Sequence, residues 1–349
     1  MKKLSAALRL TVFLPIIAIA VAPSASAMSA AVGTIPVSPR ALTAVAPVAA
    51  GWRKPALIAV DPATQGLEYW HVQPGGSNTP QTLSGLHSPL LGMCAYSSLV
   101  GHGDVVIAAS GNPCTGVSSL VLFYNVVTKR ERTLSDPYGT ASDIAIGKDS
   151  SLYVLNAINR FSNVAWYPQG SPQPRELFCK KIQYGFFIAV DNEGDIFVQG
   201  TDTQNRNAVV EFPAGPNGPQ SDHCTRLPLL NEGYANPNGV AIDPKTDDLI
   251  TVDDTSQCAP SILVMSIYPK PYSRKNVKTT SLENKAFCTN GPIRLNADST
   301  IIFFHDQDLS SNGEIDSSSY PSGKLLGIYT DPKDTSPGGF TTIPNTLPN

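Results

Sequence analysis

From residue 55 onward one alternation of apolar and polar positions recurs along the chain. An apolar strand ends in a polar turn, and a second apolar strand follows about seven residues on. Then come a loop, a strand ending in an aromatic residue and often Pro, and a short strand rich in Thr, Arg and Leu. The clearest copy runs Ser142-Asp143-Ile144-Ala145-Ile146, Leu152-Tyr153-Val154, Val164-Ala165-Trp166-Tyr167-Pro168 and Arg175-Glu176-Leu177. The next runs Phe187-Ile188-Ala189-Val190-Asp191, Asp195-Ile196-Phe197-Val198, Val209-Val210-Glu211-Phe212-Pro213 and Thr225-Arg226-Leu227. A third holds Gly239-Val240-Ala241-Ile242-Asp243, Leu249-Ile250-Thr251-Val252 and Met265-Ser266-Ile267-Tyr268-Pro269. Weaker copies flank these, one around Val105-Val106-Ile107 and Leu122-Phe123-Tyr124, the other around Ile293-Arg294-Leu295, Ile301-Ile302-Phe303-Phe304 and Leu326-Gly327-Ile328-Tyr329.

Matching positions Val100, Ile146, Val190, Ile242 and Leu295 are 46, 44, 52 and 53 residues apart. Four short strands in each ~40–50 residues is the period of a β-propeller. A helical solenoid needs a 3.6-residue period, which is absent. The β-branched and aromatic enrichment suits strands. A partial copy starts the domain with Leu57-Ile58-Ala59-Val60-Asp61, Tyr69-Trp70-His71-Val72 and Gln81-Thr82-Leu83, and lacks a first strand. Either the segment 41–50 supplies that strand or the blade has only three. The predicted fold is therefore all-β: a six-bladed β-propeller of four-stranded antiparallel blades, its first blade incomplete or completed by the N-terminal segment. A small twisted sheet has two apolar faces, and stacking in a ring buries both. The aromatic residues Tyr69, Trp70, Trp166, Tyr167, Phe212 and Tyr268 recur at the third-strand position, which predicts packing between blades.

The segment 236–244, Asn-Pro-Asn-Gly-Val-Ala-Ile-Asp-Pro, followed by Leu249-Ile250-Thr251-Val252-Asp253, resembles NHL-type repeats. So does the segment 188–198. The pattern is also similar to SMP-30/gluconolactonase-like propellers. That second resemblance implies a metal-dependent lactonase, with a Glu, Asn residues and an Asp around a divalent cation at the ring centre. Asn238 matches the Asn before Gly in that pattern, and Asp253 offers a nearby carboxylate. No Glu stands at the start of the first blade, and no second Asn is identifiable. The plainer reading of Asn238-Gly239 is a turn into the inner strand.

The N-terminus changes the picture of where the chain works. Lys2, Lys3 and Arg9 precede an apolar stretch over residues 10–22, and Pro23-Ser24-Ala25-Ser26-Ala27 offers a small-residue cleavage site. This predicts a signal peptide over 1–27, cut near Ala27, and a secreted or periplasmic protein. The stretch is shorter than the ~20 residues a membrane-spanning helix needs. Residues 28–54 read as an Ala- and Pro-rich linker, and residues 55–345 as the propeller domain. Cys94, Cys114, Cys179, Cys224, Cys258 and Cys288 all lie beyond the signal. An even count in an exported chain predicts disulfides. We expect sequence neighbours to pair, as Cys94–Cys114, Cys179–Cys224 and Cys258–Cys288, each tying a loop to a nearby strand.

Charge narrows the partners. The net charge is −3, and charged residues make up 15% of the chain, so there is no basic stripe for nucleic acid. No later stretch is long and apolar enough to span a bilayer. Pro and Gly number 30 and 27, in keeping with many turns. Asp308-Leu309-Ser310-Ser311-Asn312-Gly313-Glu314-Ile315-Asp316 resembles the front of a calcium loop. Asp308, Ser310, Asn312 and Asp316 would supply oxygen ligands and Gly313 the sharp turn, with Ser319 where a bidentate Glu is expected. The plainer reading is a polar insertion between strands. Ca2+ is the one cofactor the sequence suggests.

The acidic pairs Asp247-Asp248 and Asp253-Asp254 cluster around one hairpin and would suit a cation or a basic partner; the plainer reading is a solvated turn flanking a strand. The five His residues form no metal motif, and no nucleophile elbow, phosphate loop or dinucleotide fingerprint occurs. No catalytic residue is nominated. The sequence thus predicts an exported, monomeric, non-catalytic binding or scaffold propeller. Its partner would be a protein or small molecule held on loops at one face, and the lactonase is the alternative.

Overall fold

A computed structural model of the chain describes residues 56–61, 66–72, 80–82, 94–101, 104–110, 119–125, 131–157, 161–230, 234, 236–255, 262–283, 291–307, 313–330 and 340–343. The signal peptide and linker expectations, Cys114, Cys258, Cys288, Asp308, Ser310 and Asn312 fall outside these residues. The described elements are strands, and they assemble into four-stranded antiparallel blades, six sheets in all.

The first blade contains β1 (Ala56–Asp61), β2 (Gly66–His71) and β3 (Gln81–Thr82). The second comprises β4 (Cys94–Gly101), β5 (Asp104–Ser110), β6 (Ser119–Asn125) and β7 (Glu131–Asp136). The third comprises β8 (Thr140–Ile146), β9 (Leu152–Ala157), β10 (Asn163–Tyr167) and β11 (Arg175–Phe178). The fourth comprises β12 (Tyr184–Val190), β13 (Ile196–Thr201), β14 (Asn207–Phe212) and β15 (Thr225–Arg226). The fifth comprises β16 (Asn236–Ile242), β17 (Leu249–Asp254), β18 (Leu263–Tyr268) and β19 (Lys278–Ser281). The sixth comprises β20 (Ile293–Leu295), β21 (Ile301–Gln307), β22 (Gly313–Ser319) and β23 (Leu325–Thr330). The last strand, β24 (Phe340–Ile343), belongs to the first blade.

That placement corrects the expected closure. The strand missing from the first blade comes from the C-terminal end, because β24 pairs antiparallel with β1 from Ala56↔Ile343 to Ala59↔Phe340. The inner strands then neighbour one another in the order β24, β4, β8, β12, β16, β20 and back to β24. A ring closed by main-chain hydrogen bonds between the two ends of the domain has no open blade face.

The turns between first and second strands explain the polar residues that punctuate the repeat. Asp191 Oδ1 accepts the amides of Glu193 and Asp195, both at 2.9 Å. Asn296 Oδ1 does the same for Thr300 and Ile301, and Asp243 Oδ1 accepts from Lys245. Each side chain satisfies amides that the tight reversal would leave unpaired.

Apolar packing lies between blades. Leu155, Val164 and Trp166 of the third blade pack with Ile188, Val198 and Phe212 of the fourth. Phe303 and Tyr329 of the sixth pack with Leu57, Trp70 and Phe340 of the first. The third-strand aromatics are part of this. Trp70, Trp166, Tyr167, Phe212 and Tyr268 are buried, and the Tyr167 hydroxyl donates to the Ser135 carbonyl of the preceding blade at 2.9 Å.

Two local expectations are revised. The segment around Gly313 is the third strand of its blade, paired with β21 and β23. Its sequence, Gly-Glu-Ile-Asp-Ser-Ser-Ser, carries one apolar residue, so it resembled a loop. The disulfide Cys179–Cys224, with Cα atoms 6.1 Å apart, is formed as paired in the sequence. It does not tie a loop to its own strand. Cys179 directly follows β11 and Cys224 directly precedes β15, so the bond joins the outer strands of two adjacent blades.

Phe340 is fully buried against the sixth blade. Phe340→Ala is expected to destabilise the protein by about 3–5 kcal/mol, the range for emptying a buried Phe site. Urea unfolding measures the loss.

Candidate functional site

The inner strands start at one face of the ring, where a cavity of about 610 Å³ opens. It is lined by Thr140, Ala141 and Ser142 of β8, Tyr184, Phe186 and Phe187 of β12, Asn236 and Pro237 of β16, and Gly291-Pro292 just before β20. Ala157, Thr201 and Asn205, at or beyond the ends of the second strands, are the other described residues that line it. The size falls within the ~300–1,000 Å³ typical of small-molecule sites.

The local backbone explains why side chains turn into this space. In β8 the register against β9 slips between Ala141 and Asp143, and in β12 the register against β13 slips between Gly185 and Phe187. The residues skipped are Ser142 and Phe186, and both line the cavity. A bulge inserts one residue, breaks the alternation and re-aims a side chain. Gly185 and Gly200 face each other beside the second bulge. A Cβ on Gly200 would lie 1.8 Å from the Tyr184 carbonyl oxygen, so this close approach requires glycine. Tyr184 and Phe186 are 38% and 40% exposed, unusual for large apolar residues in this protein.

A buried ion pair lies one to two residues deeper along the inner strands. Arg294 Nη2 donates to Asp143 Oδ1 at 2.8 Å. Arg294 is on β20 and Asp143 on β8, and these strands are not neighbours in the ring. The side chains therefore meet across its centre. Asp143 Oδ1 also accepts the amide of Ile144, and Oδ2 accepts that of Ile188 on β12, at 2.8 and 2.9 Å. Arg294 Nη1 donates to the Ile293 carbonyl. One carboxylate thus joins three inner strands.

The residues singled out in the sequence lie elsewhere. Asn238 is buried on β16. Asn238-Gly239 is a bulge inside that strand, with the register slipping between Pro237 and Val240, and not the turn expected. Gly239 has φ +137°, and a Cβ there would lie 2.6 Å from Ile293. Its amide donates to Gln199 Oε1 of the neighbouring blade. Asp253 is buried with Asp254, which corrects the solvated-turn expectation for that pair, whereas Asp247 and Asp248 are half-buried turn residues. Asp253 accepts from Gln199 and Asn207 on one oxygen and from Thr251 on the other. Burial pushes its carboxyl well above the usual range, and the adjacent Asp254 adds to this. Asp316 is buried in β22 opposite Phe304 and Ile328. The lactonase reading needs a Glu, Asn and Asp around one point of the channel. Among the described residues, the pair crossing that channel is Arg294 and Asp143.

A second acidic group lies at the turn after β12. Carboxylate oxygens of Asp191, Glu193 and Asp195 fall within 4.8 Å of one another. The Lys270 ammonium sits against it, 3.0 Å from Asp191, 3.2 Å from Glu193 and 2.6 Å from Asp247. The Tyr272 hydroxyl donates to Asp191 at 3.0 Å. Here a lysine side chain supplies the positive charge and links two blades.

Asp143, Arg294, Tyr184 and Phe186 were not nominated from the sequence. The ion pair left a trace in the repeat. Arg294 occupies the position of Ala145, Ala189 and Ala241, and Asp143 that of Phe187 and Gly239. Charged residues at two inner-strand positions that are otherwise small or apolar mark the pair.

Two outcomes follow. Arg294→Met leaves the Asp143 carboxylate buried without its cation, and is expected to cost about 3–5 kcal/mol of stability. Adding Asp143→Asn removes the stranded charge and should recover a large part of the loss, read from urea unfolding of both variants. His305, buried on β21, has its imidazole pushed down to about 4 by desolvation, from 6.5. The unfolded chain binds the proton first, so stability is full above pH 6.5 and falls as pH drops towards 4. Between pH 7 and pH 4.5 the contribution is on the order of 2–3 kcal/mol. His305→Leu is expected to flatten that part of the pH–stability profile.

No protein-family model matches the chain, and no curated protein sequence matches it. Solved structures do. TolB from Acinetobacter baumannii superposes with a TM-score of 0.61 at 10% identity, covering 87% of this chain and 69% of that one. A putative TolB from Agrobacterium tumefaciens gives 0.54 at 10% identity, covering 83% and 96%. The likeness establishes the fold, an all-β propeller of four-stranded antiparallel blades.

Proposed function

We propose that this chain is an exported, non-catalytic, six-bladed propeller that binds a ligand in the cavity at the mouth of its channel. The observation that carries the reading is the pair of inner-strand bulges that turn Ser142 and Phe186 into that cavity. Bulges of this kind recur next to functional sites. The buried Asp143–Arg294 pair ties the inner strands β8 and β20 one to two residues beyond the lining residues Ser142 and Pro292.

Export rests on the basic and apolar N-terminus followed by a small-residue site, and on Cys179–Cys224. Structural disulfides are rare in reducing compartments. The strings at 188–198 and 236–244 support a place near NHL-type and gluconolactonase-like propellers. Among the described residues no helix is long and apolar enough to cross a membrane. Fold alone does not assign a function, so the reading rests on the cavity.

Fragment screening by ligand-observed NMR tests it. Hits are expected on the wild-type chain and are expected to weaken with Phe186→Ala, while Leu326→Ala, an exposed outer-strand control, leaves them unchanged. Hits that persist equally in Phe186→Ala would overturn the proposal.

A further inference from the structure

We infer that the ligand of this cavity is a neutral saccharide ring; the inference rests on the cavity being the binding site. Three features of the lining point to that chemistry.

The first is the lack of charge. Among the described lining residues none carries a formal charge. Arg294 and Asp143, further along the inner strands, pair with each other, as do Arg206 and Asp202 beside the lining residues Thr201 and Asn205. A charged ligand would find no counter-charge among these residues, and burying an unpaired charge is costly.

The second is the polar complement. The side chains of Thr201, Asn205 and Asn236 make no hydrogen bond to another described residue, while lining the cavity. A hydroxyl both donates and accepts, as does a primary amide. A ligand bearing hydroxyls around its edge can pair with all three. A purely aromatic ligand carries too few polar groups, and would leave these amides and hydroxyl dehydrated and unpaired.

The third is the exposed aromatic surface. Tyr184 and Phe186 stand at the cavity with more than a third of their surface open. The axial C–H groups of a pyranose make an apolar face that packs on such rings, while its equatorial hydroxyls point outward to the amides. One molecule therefore matches both the apolar and the polar parts of the lining.

Titration calorimetry with maltose, cellobiose and chitobiose, against glucuronate, glucosamine and indole, tests the inference. At least one neutral disaccharide is expected to bind, and the two charged monosaccharides and indole are expected not to. Phe186→Ala should weaken binding by roughly 5-fold or more, as loss of an aromatic contact implies, and Thr201→Val should weaken it while leaving the melting temperature unchanged. Tighter binding of glucuronate, glucosamine or indole, with sensitivity to Phe186→Ala, would overturn the saccharide assignment and leave the cavity as the site. Saccharide binding that ignores both substitutions would overturn the site itself. Failure of every neutral saccharide to bind sinks the inference, and the fragment screen then decides separately whether the cavity binds anything.

Discussion

Each blade of this protein has two apolar faces, and neither is buried unless the ring closes. That constraint governs the rest of the structure. The hydrophobic clusters lie between blades, so no blade has a core of its own. Closure falls to β24, four residues long, which brings Phe340 into the packing between the sixth and first blades. Main-chain pairing at this point therefore sustains side-chain burial around the whole circle. Arg294 and Asp143 add a tie of another kind, which joins blades that never touch as neighbours.

The cavity is a by-product of the same architecture, in which the inner strands β4, β8, β12 and β16 each carry a bulge. Regular pairing would point alternate inner-strand side chains into the clefts between blades. The bulges at Ser142 and Phe186 interrupt that alternation near the mouth of the channel. The glycines at 185 and 200 allow the backbones to approach closely beside one of them. Beyond the bulges the strands resume their register, and Arg294 and Asp143 pair across the ring. Cavity lining and structural core are thus separated by one or two residues along the same strands.

Much of the fold was legible because burial on both faces imposes a strong, repeated apolar signal. The strings ending at Ile146, Val190 and Ile242 declare inner strands without ambiguity. Where burial is polar, that signal fails. β22 packs Asp316, Ser317 and Ser318 out of solvent, and its sequence looked like a loop with calcium ligands. β24 reads Phe-Thr-Thr-Ile, too short to stand out, and its partner β1 lies at the far end of the domain. The site was less legible still. Bulges have no fixed sequence signature, and Asn238-Gly239, which looked like a turn, is one. The ion pair was visible only as two charged residues breaking the repeat, and nothing in the sequence says that they face each other.

The pairing of Ala56 with Ile343 sets the first and last described residues of the ring side by side. The domain is therefore topologically a circle that happens to be cut within its first blade. No blade is intrinsically first, and the order in which the gene presents them is a matter of where the cut was made. A circularly permuted chain, joined across that pair and opened in a loop between two other blades, would encode the same ring with every blade contiguous in sequence.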